Sequence, residues 1–128
     1  MSDVTRSDGL LPLRYWASRP RPHVCVVHLA GELDMATVPA VARYLQEQTA
    51  DRPAALVLDL AAVTLLAATA VGLIVEVQHG GHGVHGRLSL IGVIGNRAVE
   101  RVLRITGLRT RLDVHDDLQA LLDALPPR

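Results

Sequence analysis

Three histidines lie close together in a glycine-rich stretch of the 128-residue chain. Two residues separate His79 from His82 and His82 from His85, and three imidazoles in a flexible loop can bind Zn²⁺ or Ni²⁺. The spacing matches no closed four-ligand site, which favours the alternative of a polar, mobile loop between a helix and a strand. A metal or small-ligand sensor that uses this loop stays open as a second hypothesis about function.

Two carboxylates follow apolar stretches of the chain. Asp34 and Asp59 end predicted strands that look adjacent, so both could flank the start of a helix. Asp34 has either a functional role or a role in forming a turn and the entry to a helix. Asp59 is expected to be structural, because a carboxylate beside a buried strand commonly accepts hydrogen bonds from loop amides. No nucleophile, cofactor or closed metal set accompanies the two acids, and the chain is predicted not to be an enzyme.

The composition excludes several kinds of chemistry. The chain contains 13 arginines and no lysine. A phosphate loop that ends in lysine, a Schiff-base enzyme and a kinase with a lysine clamp are therefore ruled out. Basic and acidic residues balance at 13 each, and only Trp16, Tyr15 and Tyr44 could stack on bases. Nucleic acid is therefore an unexpected partner.

Features that report on the compartment point to the cytoplasm. The single cysteine, Cys25, cannot close an intramolecular disulfide and is expected to be a buried thiol. Residues 1–9 lack the apolar core of a signal peptide. The apolar run over residues 54–75 is interrupted by Asp59 and is too short for a bilayer span, so it predicts a buried strand followed by a buried helix rather than a membrane anchor.

Apolar periodicity predicts five strands and four helices. Their order, β-β-α-β-α-β-α-β-α, indicates an α/β fold with a mixed central sheet. We expect one domain over residues 10–125, between a flexible N-terminus at residues 1–9 and a tail at residues 126–128. The predicted strands span residues 11–18, 23–30, 55–60, 87–93 and 112–115. The predicted helices span residues 37 or 38 to 50, 69–79, 96–107 and 116–125, with a loop over residues 61–68.

Two of these helices carry recognisable end signals. Thr37 and Asn96 are predicted N-caps, and Gly107 is predicted to end the third helix in a left-handed conformation with Leu108 packing back. The third helix also carries Arg97, Arg101 and Arg104 on its polar side, with Glu100 placed to pair with Arg104. A solvated helix face is expected there, and a docking patch for an acidic partner is the alternative.

In several separate stretches the sequence resembles the STAS domain family, which includes the anti-sigma factor antagonists. Residues 26–34 end in Gly31-Glu32-Leu33-Asp34, which is similar to the family's second strand and its Gly-Glu-Leu-Asp turn. Residues 56–60 and 63–66 resemble the strand and loop that lead to the family's phosphorylation site. Further likeness extends through residues 86–90, 105–108 and 114–116, so the resemblance covers about residues 10–125.

The resemblance places a phosphorylation switch at the start of the second helix. The family's motif reads Asp-Ser-Ser/Thr-Gly-Leu, and the matching positions here are Ala67-Ala68-Thr69-Ala70-Val71. Thr69 keeps a hydroxyl where the phosphorylated residue falls, whereas three alanines replace the motif's carboxylate, its first hydroxyl and its glycine. A hydroxyl at a helix N-terminus suits phosphate chemistry, because amides and the helix dipole favour an anion there. The alternative is that Thr69 only caps the helix.

The resemblance implies a cytoplasmic antagonist that binds an anti-sigma factor with kinase activity and so releases a sigma factor for transcription. Phosphorylation of Thr69 by that partner would switch it off. A constitutive, unphosphorylated scaffold is the alternative, and the sequence leaves open whether the protein is a monomer or a homodimer. The implied partner-binding residues are Glu32, Asp34, Ala67, Ala68, Thr69, Ala70 and Val71, supported by Gly31, Asp59 and Gly72.

Overall fold

A computed structural model describes residues 6–7 and 13–126 of the chain. The predicted strand start at residues 11–12, most of the predicted N-terminal segment and the last two residues of the predicted tail lie outside the described residues. The strands are β1 (Arg6–Ser7), β2 (Leu13–Arg21), β3 (Val24–Leu33), β4 (Ala55–Leu66) and β5 (Arg87–Ile91). The helices are α1 (Val38–Gln48), α2 (Ala68–Gln78), α3 (Arg97–Ile105) and α4 (Leu118–Ala124), with a 3₁₀ turn at Leu108–Thr110.

The strands form one mixed sheet in the order β1-β2-β3-β4-β5. β1, β2 and β3 pair antiparallel, whereas β3, β4 and β5 pair parallel through helical crossovers. This confirms the predicted α/β class, with four strands of five residues or more and four α-helices. The predicted fifth strand at residues 112–115 is wrong, because only Val114 bridges to Leu90. The remaining strand of the sheet is the two-residue β1.

Helices cover the two faces of the sheet unequally. α1, α2 and α3 bury one face, where alternate residues of β3 such as Cys25, Val27 and Leu29 join the main core. Of the helices in the described part of the chain, α4 is the one that packs against the opposite residues, Val24 and Val26. The predicted assignment of these strand residues to two apolar faces is confirmed. Because α4 is only seven residues long, it covers only part of its face.

The largest departure from the predicted elements is the length of β3 and β4. The predicted loop over residues 61–68 is wrong, since β4 continues to Leu66 and pairs with an equally extended β3 as far as Leu33. Gly31 makes this possible: its φ of 122° lies in a region that glycine adopts without strain, and the register shifts on either side of it. Both strands therefore carry the chain further toward the start of α2 than periodicity indicates.

Asn96 holds the outer part of β4, by which we mean residues 60–66. Its side-chain Nδ2 donates to Leu60 O at 2.8 Å and to Val63 O at 2.9 Å, while its Oδ1 accepts from Val99 N at 3.4 Å. The predicted cap of α3 is thus confirmed, and the same side chain also clamps a strand. The predicted left-handed Gly107 is confirmed as well, with φ of 75°.

The long apolar run at residues 54–75 forms β4 and most of α2, as expected from its length. Within the described part of the chain, no helix is both long enough and apolar enough to cross a bilayer.

Candidate phosphorylation and docking site

The ends of β3 and β4 bring two separate chain segments together at one edge of the sheet. Leu33 and Leu66 are register partners, and Ala67 N donates to Leu33 O at 2.8 Å. Asp34 follows Leu33 directly, and α2 begins directly after Ala67. The predicted association of the Asp34 turn with the start of α2 is therefore present in the structure. We call this end of the molecule the carboxyl edge, because the parallel strands end there.

Thr69 lies in the first turn of α2 with its side chain exposed. The interpretation of Thr69 as a helix cap is wrong, because Ala67 occupies the N-cap position in an extended conformation and makes no side-chain cap bond. The amides of Ala68 and Thr69 belong to the first turn, where an α-helix offers no intrahelical acceptor. An exposed hydroxyl thus stands beside donors that favour a bound or covalently attached phosphate.

Asp34 organises the entry to α1. Its Oδ1 accepts from Ala36 N at 2.9 Å and from Thr37 N at 3.2 Å, and its carbonyl accepts from Val38 N at 2.9 Å. The predicted role of Asp34 in forming a turn before a helix is thus confirmed. Thr37 occupies the predicted N-cap position of α1 but makes no side-chain cap bond; its hydroxyl donates back to Glu32 O at 2.8 Å and closes the turn.

Large apolar side chains are exposed at the same edge. Met35 is 77% exposed, Leu65 is 44% exposed, and Ile94, just beyond β5, is 48% exposed. Each follows or ends one of three neighbouring parallel strands. Sequence reasoning missed them, because exposure of an apolar residue depends on tertiary packing that periodicity does not encode. We define the carboxyl-edge surface as Asp34, Met35, Leu65, Thr69 and Ile94.

The other residues implied by the family resemblance differ in how far their side chains are exposed to solvent. Ala68 is exposed beside Thr69, whereas Ala67 and Glu32 are half-buried. Ala70 is only 2% exposed and packs in the main core, so its side chain is not available to a partner. Val71 packs at the margin of that core, and a Cβ added to Gly72 would contact nothing within 4 Å. Thr69 and Ala68 are therefore the accessible members of the switch segment.

Asp59 lies away from Asp34, and the prediction that both flank the helix start is wrong. It stands within β4, where it pairs with His28 of β3. His28 Nδ1 donates to Asp59 Oδ2 at 2.8 Å, and Asp59 Oδ1 accepts from Ala61 N at 3.1 Å. Asp59 is thus structural, as expected, but its main partner is an imidazole on a neighbouring strand.

A polar cluster on the partly covered sheet face continues from this pair. His28 Nε2 is hydrogen-bonded to Ser18 Oγ at 2.9 Å, and the Trp16 ring stacks on the imidazole with centroids 5.2 Å apart. The atom order matches a hydrolytic Ser-His-Asp triad, which sequence spacing did not reveal. A nucleophilic serine also needs preorganised oxyanion donors, whereas Ser18 lies in a strand paired with β3. We assign the cluster to cohesion of β2, β3 and β4.

The acid sensitivity of the Asp59 contact is a testable property. Burial alone would raise the pKa of Asp59, but the hydrogen bonds from His28 and Ala61 and the charge of His28 lower it overall. Because the pKa of Asp59 is lower in the folded than in the unfolded state, its ionised carboxylate stabilises the folded protein at pH values above the unfolded-state pKa, near 3.9. This stabilisation is lost as the pH falls through the folded-state pKa.

We therefore expect Asp59→Asn to lower the free energy of unfolding at pH 7 by about 1 to 2 kcal/mol. The difference from the wild type should shrink between pH 5 and pH 3, measured by urea unfolding at each pH. Asp116→Asn, at an exposed position, is the control and should leave stability nearly unchanged. A difference for Asp59→Asn that stays constant over this range would contradict the assignment.

The histidine loop does not gather its imidazoles around one point. His79 Nδ1 is hydrogen-bonded to Val75 O at 2.9 Å, and His82 Nε2 lies 3.1 Å from Glu76 Oε1. Over residues 13–126, no three His, Cys, Asp or Glu side chains form a group that could hold a metal ion. Nothing in this geometry favours the sensor hypothesis.

The arginine-bearing helix and the cysteine can also be placed. Arg97, Arg101 and Arg104 are exposed, in agreement with a solvated face. Glu100 does not form the predicted pair with Arg104; its Oε1 accepts from Gly95 N at 2.9 Å. Cys25 is fully buried, and burial raises the pKa of its thiol.

Comparison with known proteins agrees with this architecture. The family model described as "Mlab, STAS domain" matches residues 16–122, and the chain therefore belongs to the STAS domain family. A search of curated protein sequences finds no match. An anti-sigma factor antagonist from Mycobacterium paratuberculosis superposes with a TM-score of 0.73 at 27% identity, over 88% of this chain and 92% of that chain.

Two more distant structures share the fold. The phosphorylated form of the Bacillus cell fate determinant SpoIIAA has a TM-score of 0.62 at 16% identity, over 87% of this chain and 99% of that chain. A serine-to-glutamate form of Moorella thermoacetica RsbS has a TM-score of 0.62 at 22% identity, over 80% and 87% of the two chains. These likenesses show the fold, and the match to the mycobacterial protein supports a general regulatory role.

Proposed function

We propose that this protein is a non-enzymatic anti-sigma factor antagonist. It binds an anti-sigma factor that has serine/threonine kinase activity, and by occupying that partner it frees a sigma factor for transcription. The observation that carries the proposal is the exposed hydroxyl of Thr69 in the first turn of α2, joined to the Asp34 turn by the bond from Ala67 N to Leu33 O. Membership of the family and the similar mycobacterial antagonist support it.

The apolar part of the carboxyl-edge surface supports a protein partner. Met35 and Leu65 expose large side chains next to the two segments that the bond from Ala67 N to Leu33 O joins, and Ile94 exposes one beyond the end of β5. Clusters of exposed apolar residues next to polar groups are typical of protein contact sites, where removing them from water drives association. Thr69 would then lie within the contact rather than at its rim.

Phosphorylation would act on this contact through charge. A phosphate adds about −1.5 to −2 charges at pH 7. In the free protein the amides at the start of α2 and the surrounding water stabilise that charge. In the complex the same charge would be enclosed among apolar side chains, where an uncompensated anion is costly. The phosphorylated protein would therefore dissociate, and dephosphorylation would restore binding.

A direct test is to incubate the protein with its anti-sigma factor kinase and ATP and to locate phosphate by mass spectrometry. The wild type is expected to gain one phosphate, on Thr69. Thr69→Val should gain none, whereas Thr110→Val, which removes an exposed hydroxyl elsewhere, should be phosphorylated like the wild type. An unmodified wild type, or phosphate on Thr69→Val, would overturn the switch.

A constitutive antagonist is the second candidate. Ala67 stands at the N-cap with no side chain able to accept a hydrogen bond, so no carboxylate lies next to the Thr69 hydroxyl at that position. If the kinase needs such a group, the protein binds its partner and is never released by phosphorylation. The charge-mimic experiment described in the Discussion distinguishes the two candidates.

A further inference from the structure

A strip of three arginines runs along the exposed side of α3. Arg97, Arg101 and Arg104 follow one another at intervals of four and three residues, which places them on one side of the helix. The rise of a helix, about 1.5 Å per residue, makes the strip about 10 Å long. The whole chain has 13 basic and 13 acidic residues, so this local excess of positive charge is not a property of the entire surface. We call these three arginines the α3 strip.

The α3 strip has no counter-charge in the part of the chain that the structure describes. Glu100 is the acidic residue of α3, but its Oε1 accepts from Gly95 N at 2.9 Å instead of pairing with Arg97 or Arg104. Within residues 13–126, the side chains of the three arginines form no ion pair or hydrogen bond. Like charges three or four residues apart destabilise a helix, and Arg97 also lies at the positive end of the helix dipole. An acidic partner would relieve both effects.

The α3 strip begins beside the carboxyl-edge surface. Ile94 belongs to that surface, is 48% exposed and precedes Arg97 by three residues. Between them, the side chain of Asn96 donates to Leu60 O and Val63 O, which holds the start of α3 against the outer part of β4. A partner that covers Ile94 would therefore have the first turns of α3 directly beside it.

An acidic protein segment fits this location better than a nucleic acid does. Carboxylates accept paired hydrogen bonds from guanidinium groups. A nucleic acid gains affinity by neutralising many phosphates, whereas the α3 strip spans only about two helical turns. The adjoining carboxyl-edge surface contributes apolar side chains and the acidic Asp34, which a polyanion would avoid. Apolar groups bordered by charged ones are typical of protein contacts.

We propose that the α3 strip receives an acidic segment of the anti-sigma factor and steers it onto the carboxyl-edge surface. This assignment rests on the proposed function, since the partner is the same. Opposite charges attract before contact, over about 10 Å at 0.1 M salt, and so raise the rate of productive encounter. Because the α3 strip is exposed, its effect falls on the association rate constant more than on the dissociation rate constant. Arg97 and Arg101 contribute most, since they are nearest to Ile94.

Association kinetics with the purified anti-sigma factor, measured by surface plasmon resonance at several salt concentrations, test the proposal. The association rate constant of the wild type is expected to fall at least about tenfold between about 50 and 500 mM NaCl, while the dissociation rate constant changes less than about twofold. An association rate constant that is independent of salt, or that rises with it, would overturn the steering role and leave the proposed function intact. Absence of any binding by the wild type would overturn both.

Charge reversal at single positions ties the steering to the α3 strip. Arg101→Glu is expected to lower the association rate constant at least about fivefold at about 50 mM NaCl and to leave the dissociation rate constant nearly unchanged. Both Arg101 and Arg111 are exposed, so circular dichroism should show an intact fold for either variant.

Arg111→Glu is the matched control. Arg111 follows the 3₁₀ turn, and its carbonyl accepts from Gln78 Nε2 at the end of α2, away from Thr69. Its reversal should change the association rate constant less than about twofold. An unaffected Arg101→Glu variant, or equal losses in the two variants, would overturn the proposal. Binding of a fluorescein-labelled DNA duplex that Arg101→Glu abolishes would also overturn it, and would assign the α3 strip to nucleic acid.

Discussion

Thr69→Glu is expected to lose at least about 100-fold in affinity for the anti-sigma factor while keeping its fold. The carboxylate would stand exposed in the first turn of α2, on the carboxyl-edge surface that also includes Met35, Leu65 and Ile94. Enclosing an unpaired charge in a contact of this kind costs several kcal/mol, and about 2.7 kcal/mol corresponds to 100-fold. Titration of the purified partner by calorimetry or surface plasmon resonance measures the change.

The matched control for this variant is Thr110→Glu. Thr110 is exposed in the 3₁₀ turn that follows α3, at the end of the molecule away from Thr69. The Thr110→Glu variant carries the same added negative charge and should bind the partner with the affinity of the wild type. If Thr69→Glu binds the partner with unchanged affinity, charge at this position does not control docking. The constitutive antagonist would then replace the phosphorylation switch.

Gly92→Ala is expected to lower the free energy of unfolding by about 3 kcal/mol or more. Gly92 follows β5 with φ of 75°, and a Cβ built on it would lie 2.3 Å from Ala61 N and 2.7 Å from Ala61 Cα. The obstacle is backbone, so it cannot move aside as a flexible side chain could. Urea unfolding followed by fluorescence of Trp16, the single tryptophan, gives the change.

Gly95→Ala is the control that measures the cost of a positive φ without a steric clash like the one between Gly92 and Ala61. Gly95 also has a positive φ, 90°, but an added Cβ would meet nothing within 4 Å. It should lose only about 1 to 2 kcal/mol, the cost of a left-handed conformation for a residue with a Cβ. Equal losses for the two variants would contradict the close approach of Gly92 to Ala61. A larger loss for Gly92→Ala would show that this approach holds the outer part of β4 in place.

Local signals in the sequence predicted the parts of the fold that local interactions determine. The alternation of residues in β3 indicated two buried faces, and Asn96 and Gly107 marked the ends of α3. The extension of β3 past Gly31 could not be predicted in this way, because it depends on pairing with the outer part of β4. Val114 illustrates the opposite error: its neighbourhood has strand character, but only one bridge forms.

The candidate site was predictable to a similar extent. The resemblance placed Thr69 near the start of a helix, and the structure locates it in the first turn with an exposed side chain. The pairing of Asp59 with His28 joins residues on different strands, and spacing along the chain carries no sign of it. The exposure of Met35 was unpredictable for a related reason, since an isolated apolar residue in a turn could equally pack inward.

The bond from Ala67 N to Leu33 O has a consequence for the kinetics of recognition. It joins the Asp34 turn and the beginning of α2 before any partner arrives, so neither backbone segment needs to be ordered during binding. Preformed surfaces lose less conformational entropy on association and dock nearly as rigid bodies. If the proposed partner docks here, we expect its encounter to be limited by diffusion and orientation rather than by a rearrangement of these two segments.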